Sequence, residues 1–179
     1  MALWFAFLRG INLGKRQLKM AELRGAMEEA GYAEIKTVLA SGNVRFKAEG
    51  KAEAIKDSLE KLIAARCGFD VGVVLRSEAE LKAMLDGHPF DSLDPKADFT
   101  KHVMLFDQPL PKGTTIDGLP GHTEVLRVDA RELYLVGYRQ PNGRYTEGVE
   151  EVLKPLYARL GKGVLDTTRN WNTIEKMLA

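Results

Sequence analysis

Cysteine is nearly absent. The chain has one, Cys67, which excludes an internal disulfide and a cysteine-built structural zinc site and fits a reducing compartment. Charge of one sign is missing too. Lys and Arg number 26 against 25 Asp and Glu, a formal net charge of +1, so no overall pull toward nucleic acid or an anionic membrane exists. Any such pull must come from a local patch. The longest apolar run, residues 2–8 (ALWFAFL), is far too short to span a bilayer. It also lacks the basic leader and small-residue cleavage site of a secretory signal. A cytoplasmic protein with no membrane partner is the expectation. His88, His102 and His122 lie far apart in sequence, so no metal site is read from them. No G-x-S-x-G, H-E-x-x-H or Ser/His/Asp arrangement is visible, and no motif names a cofactor.

The composition present is that of an ordinary globular protein. The 179 residues are 45% hydrophobic and 28% charged, enough for one large domain or two small intertwined ones. Residues 2–8, apolar at every position, predict a strand buried on both faces. A polar, glycine-punctuated loop over 10–18 precedes a helix carrying Met20, Leu23, Met27 and Ala30 at helical spacing, with Gly31 as its stop. Residues 34–39 and 43–47 predict two strands joined at residues 40–42. Ile55, Leu59, Leu62, Ile63 and Arg66 trace a second helix ending at Gly68, and residues 71–75 a further strand. The order over 1–76 is β-α-β-β-α-β, the split β-α-β or ferredoxin-like arrangement.

The fold class is therefore α+β: a ferredoxin-like first half, residues 1–76, with a second, related subdomain, residues 77–179, packed closely on it. No flexible linker divides them. The second half opens on a capping box, Ser77 with Glu80, before Leu81 and Met84. Residues 102–106, 124–128 and 132–138 are strand candidates. Val149, Val152, Leu153 and Leu156 recur at helical spacing, with Pro155 set to kink or split that helix. Trp171, Ile174, Met177 and Leu178 form a closing helix, with Thr167, Thr168 or Asn170 as caps. This half is compatible with a degenerate copy of the first, although no shared motif carries that reading.

The split β-α-β brings the end of the first strand, the start of the first helix and the strand-two/strand-three hairpin to one sheet edge. That edge has the residues of an anion site. Gly10, Gly14 and Gly42 let backbone N–H groups approach a ligand, and a helix N-terminus adds unpaired N–H groups and partial positive charge. Arg9, Lys15, Arg16 and Lys19 are basic, and no acidic residue occurs before Glu22. Asn12, Ser41 and Asn43 are placed to orient a hydroxyl or an amide. The segment is no P-loop, since Gly10-x-x-x-Gly14-Lys15 lacks the required spacing and the following Ser or Thr. Thr168, Arg169 and Asn170, rich in hydrogen-bonding groups, are expected to join Asn12, Ser41 and Asn43 in one pocket.

Three segments carry a resemblance: residues 8–14 (LRGINLG) with Lys19-Met20, then Ser41-Gly42-Asn43-Val44-x-Phe46, then Thr168-Arg169-Asn170-Trp171. They are similar, in the same order, to the bacterial domain-of-unknown-function family numbered 1697. Leu13 stands where that family often has valine, and Lys15 and Arg16 where a second glycine and polar residues are common. The resemblance implies an α+β protein of two related ferredoxin-like subdomains and assigns no activity. The leading functional expectation is binding of a phosphorylated small molecule, a nucleotide or a short nucleic-acid segment at the basic edge. An enzyme using the same pocket ranks second, for want of an obvious general base or nucleophile. A structural or partner-binding module ranks third.

Overall fold

The computed structural model describes residues 1–11, 14–39 and 42–179. Its elements are β1 (Ala2–Arg9), α1 (Met20–Glu29), β2 (Ala33–Thr37), β3 (Asn43–Ala48), α2 (Ala52–Cys67), β4 (Gly72–Ser77) and α3 (Glu78–Asp86), followed by β5 (Phe99–Phe106), β6 (Thr123–Val128), β7 (Glu132–Tyr138), α4 (Val149–Leu160), β8 (Asp166–Asn170) and α5 (Trp171–Leu178). The strands form two four-stranded antiparallel sheets, ordered β2-β3-β1-β4 and β6-β7-β5-β8. Two compact units result: Met1–Asp86 with Thr173–Ala179, and Gly87–Asn172.

In the first unit β3 pairs antiparallel with both β1 and β2, so β1 and β2 run parallel with β3 between them. This is the split β-α-β arrangement read from the sequence. Phe5, Ala6, Phe7 and Leu8 are all buried, as an apolar strand covered on both faces requires. One face places Ala6, Leu8, Val44, Phe46, Val73 and Leu75 in a core with Leu23 and Met27 of α1 and Leu59 and Ile63 of α2. By strand alternation Phe5, Phe7, Val74 and Arg76 take the other face. There α3 packs on β1 and β4. Its capping box is formed as the sequence predicts: Ser77 N–H donates to Glu80 Oε2 at 2.8 Å, and Glu80 N–H to Ser77 Oγ at 3.2 Å. The sequence reading puts α3 in the second half, whereas its packing puts it in the first unit.

The second unit repeats the sheet plan, with β5, β6, β7 and β8 standing in the order of β1, β2, β3 and β4. Met104, Phe106, Leu133 and Leu135 pack against Leu153 and Leu156 of α4. Pro155 lies inside that helix, which continues through it as one element. On the opposite face Trp171, 5% exposed, meets Phe90 and Tyr134 with ring centroids 5.2 and 5.8 Å away. The expected docking of Trp171 is therefore observed.

Two features depart from the sequence reading. Residues 166–170 form β8, a fourth strand hydrogen-bonded along β5 in the register Phe106↔Asp166 to His102↔Asn170. Thr167 and Thr168 are thus strand residues paired along β5, and Asn170 ends the strand directly before α5 begins. Second, where α1 stands between β1 and β2, residues 107–122 hold no helix between β5 and β6. Pro109, Pro111 and Pro120, with Gly113, Gly118 and Gly121, forbid one. Leu110 and Ile116 from this segment cover the core instead.

Candidate functional site

The first-unit edge is built from the end of β1 and the start of α1. Leu8 N–H donates to Gly42 O at 2.8 Å, so the end of β1 and the β2–β3 connection are neighbours. Ile11 and Leu18 are buried in the helix-side core and pin the polar segment between them. Arg9, Gly14, Lys15, Arg16 and Lys19 are exposed. Lys19 is the N-cap of α1 in extended conformation, with no side-chain cap hydrogen bond. The first-turn N–H groups of α1 therefore have no side-chain acceptor from the cap residue. Arg16 lies with its guanidinium carbon 5.2 Å from the centroid of Phe69, a cation–π contact that holds one positive charge at this edge. Asn12 and Ser41 lie outside the described residues.

The glycines and Asn43 divide into different roles. Gly42 has φ +81°, and a Cβ there would meet Ile11 Cδ1 at 2.6 Å and Leu8 Cβ at 3.0 Å. Packing and backbone conformation explain that glycine without a ligand. Gly14, at φ +58°, is exposed and has nothing within 4 Å of such a Cβ, so packing does not account for that glycine. Asn43 is fully buried and donates from Nδ2 to Val38 O at 3.0 Å, while Val38 N–H donates to Asn43 O at 2.9 Å. Its amide braces the β2–β3 connection.

Thr168, Arg169 and Asn170 belong to the second unit and the others to the first. Strand geometry also separates the three. Alternation puts Arg169 on one face of β8 and Thr168 with Asn170 on the other. Arg169 Nη1 donates to Thr167 Oγ1 at 2.6 Å and to Thr168 O at 2.9 Å. Burial holds its guanidinium down to about 10, still protonated at neutral pH. Asn170 stands opposite His102 in the β5–β8 register. Thr100 Oγ1 lies 2.7 Å from His102 Nε2. Burial first pushes the His102 imidazole below its usual 6.5, with the Asn170 side chain opposing that shift. Sequence reasoning misses Thr100 and His102 as a pair. Their i, i+2 spacing on a strand puts them on one face, and that is the available signal.

Burial, and then the Glu22 carboxylate, raise the Cys67 thiol above its usual value, the reverse of what a nucleophile needs. Among the described residues no three His, Cys, Asp or Glu side chains converge to hold a metal, and no helix is long and apolar enough to cross a membrane. A cavity of about 380 Å³ opens between residues 114–119 and α4, lined by Ile116, Leu119, Val152 and Leu156 with Asp117, Glu151 and Arg159 at its polar parts. It carries no basic cluster.

With these features in place, the chain belongs to the family described as "Protein of unknown function (DUF1697)", whose sequence profile matches residues 1–134. That match takes in the first two of the three resembling segments, and Thr168–Trp171 lies beyond it. No curated protein matches. Among solved structures, the chain is similar to a conserved bacterial protein from Streptococcus pneumoniae at 18% identity. The TM-score is 0.70, over 98% of this chain and 96% of the other. At that identity the likeness establishes a shared α+β fold.

Proposed function

We propose that the protein binds a phosphate-bearing ligand, as a phosphorylated small molecule, a nucleotide or a short nucleic-acid segment, at the first-unit edge. Lys15 and Lys19 supply charge, and the N–H groups of Gly14 and the first turn of α1 supply directed donors. Arg9 and Gly10 border the site. Asn12 and Ser41, adjoining Ile11 and Gly42 in the chain, are included as its polar side chains. Gly42 and Asn43 act as its scaffold, given the packing around Gly42 and the Asn43–Val38 bonds. The carrying observation is the conjunction at one edge of an uncapped helix start, an open glycine and exposed basic side chains. A site of this kind needs no overall basic charge, in keeping with the near-neutral chain. The reading takes the cytoplasm as its compartment, which the single cysteine fits.

A thermal-shift screen tests this with inorganic phosphate, nucleoside mono- and triphosphates, a sugar phosphate and a short single-stranded oligonucleotide. Binding to the native state raises the midpoint by mass action. The expected result is a dose-dependent rise with at least one of these, lost in a Lys15→Ala/Lys19→Ala variant of unchanged intrinsic midpoint. No rise with any phosphorylated compound, or an equal rise in the variant, would sink the proposal.

A further inference from the structure

The second unit carries a separate constellation. On the face of the sheet that holds Met104 and Phe106, Thr100 and His102 are consecutive same-face residues of β5, and Asn170 of β8 stands directly opposite His102. The hydroxyl Oγ1 of Thr100 lies 2.7 Å from His102 Nε2, and Asn170 stands across the ladder from the same residue. Thr100 and His102 are half-buried and Asn170 is exposed. The row thus runs from a half-buried end at Thr100 to an exposed end at Asn170. Facing Thr100 across the ladder is Gly137. A Cβ there would come within 2.1 Å of Tyr145 O, so this glycine lets the backbone at Tyr145 pass close beside Thr100.

We propose that Thr100, His102 and Asn170 form a nucleophile–base–orienter row for acyl transfer from small activated carboxylic esters. The roles rest on their chemistry. A hydroxyl is a weak nucleophile until an adjacent base takes its proton, and the base works best when a third group fixes its ring. With Asn170 Oδ1 accepting from one ring N–H, Nε2 is left as the acceptor for the Thr100 O–H. In the first step Thr100 Oγ1 bonds to the carbonyl carbon while His102 Nε2 takes its proton. The carbon–oxygen bond to the leaving alcohol or phenol then breaks, and that oxygen receives the proton from His102. In the second step water attacks the threonine ester, giving its proton to His102. The carboxylic acid leaves, and the proton returns to Thr100 Oγ1. No oxidant or metal enters the balance. Keeping the imidazole neutral at neutral pH, as its burial does, leaves the base available.

p-Nitrophenyl acetate serves as the probe on the full chain. The expected result is p-nitrophenol release faster than from an equal concentration of free imidazole, with an acetyl group on the peptide that contains Thr100 by mass spectrometry. Thr100→Val, close to isosteric and suited to a strand, should abolish both signals, and Thr100→Ser should restore them. His102→Gln should lower the rate by roughly 10²-fold or more, the scale of general-base catalysis. Asn170→Ala, removing a positioning residue, should shift the acidic limb of the pH–rate profile as well as lower the rate. Circular dichroism and the denaturation midpoint confirm that each variant is folded. A wild-type rate no greater than imidazole's, acetylation confined to lysines, or an unchanged rate in folded Thr100→Val would each overturn the proposal.

Discussion

The two units share one sheet plan and differ in the connection that leaves the first strand. In the first, β1 leads through a basic, glycine-punctuated segment into α1, whose start lacks a side-chain cap. In the second, β5 leads into residues 107–122, rich in proline and glycine and without a helix. Both sheets close alike. The last strand, β4 or β8, runs directly into a helix, and its penultimate residue is an arginine, Arg76 or Arg169, in register with Phe5 or Val103. A common plan with one altered connection shows which parts the scaffold requires. The closing strand-to-helix turn recurs, so it is architecture. The segment before α1 does not recur, which is why the proposed ligand site is placed there.

The largest expected effects test the two cores. Phe46→Ala in the first unit and Trp171→Ala in the second should each destabilise by about 3–5 kcal/mol, the range for buried aromatic truncation. Hydrogen exchange should show each loss concentrated in its own unit. Uniform loss of protection from either change would erase the distinction between them.

Next come the glycines. Gly42→Ala should cost roughly 2–4 kcal/mol, from overpacking against Ile11 and Leu8 plus a left-handed backbone. Gly14→Ala, with no neighbour to strike, should cost only about 1 kcal/mol of backbone strain. Equal urea midpoints for the two would refute the division into a packing glycine and an open one.

A pH test isolates the second unit. The folded protein holds His102 below 6.5, so the unfolded chain takes up that proton first as pH falls. The stability tied to the neutral imidazole is complete above 6.5 and drains away as pH drops through 6.5 toward the folded value. His102→Gln should flatten that step in midpoint-against-pH curves. The same step in the variant would assign it to other groups. The smallest effect is on the surface: Lys82→Ala breaks an exposed i, i+4 pair with Glu78 and should leave the urea midpoint indistinguishable from that of the parent protein.

The first unit is legible in the sequence because its signals are local. An apolar run makes β1, helical spacing and Gly68 delimit α2, and the β-α-β-β-α-β order fixes a sheet. The second is harder. β8 is five residues long, and its threonines and asparagine read equally well as helix caps before Trp171. Only the β5 edge, distant in sequence, makes a strand of them. Pro155 does not split α4, which continues through it as one element. At the candidate site the basic side chains and the helix start are readable. The roles of Gly42 and Asn43 are not, since they depend on contacts with Ile11, Leu8 and Val38.

That ligand binding belongs to the connection unique to the first unit is tested most directly by amide NMR during titration with inorganic phosphate. Saturable shifts are predicted at Gly14, Lys15, Lys19 and the first turn of α1, with residues 107–122 unmoved and the Lys15→Ala/Lys19→Ala variant silent. Shifts confined to the second unit, or none at any phosphate concentration, would contradict it.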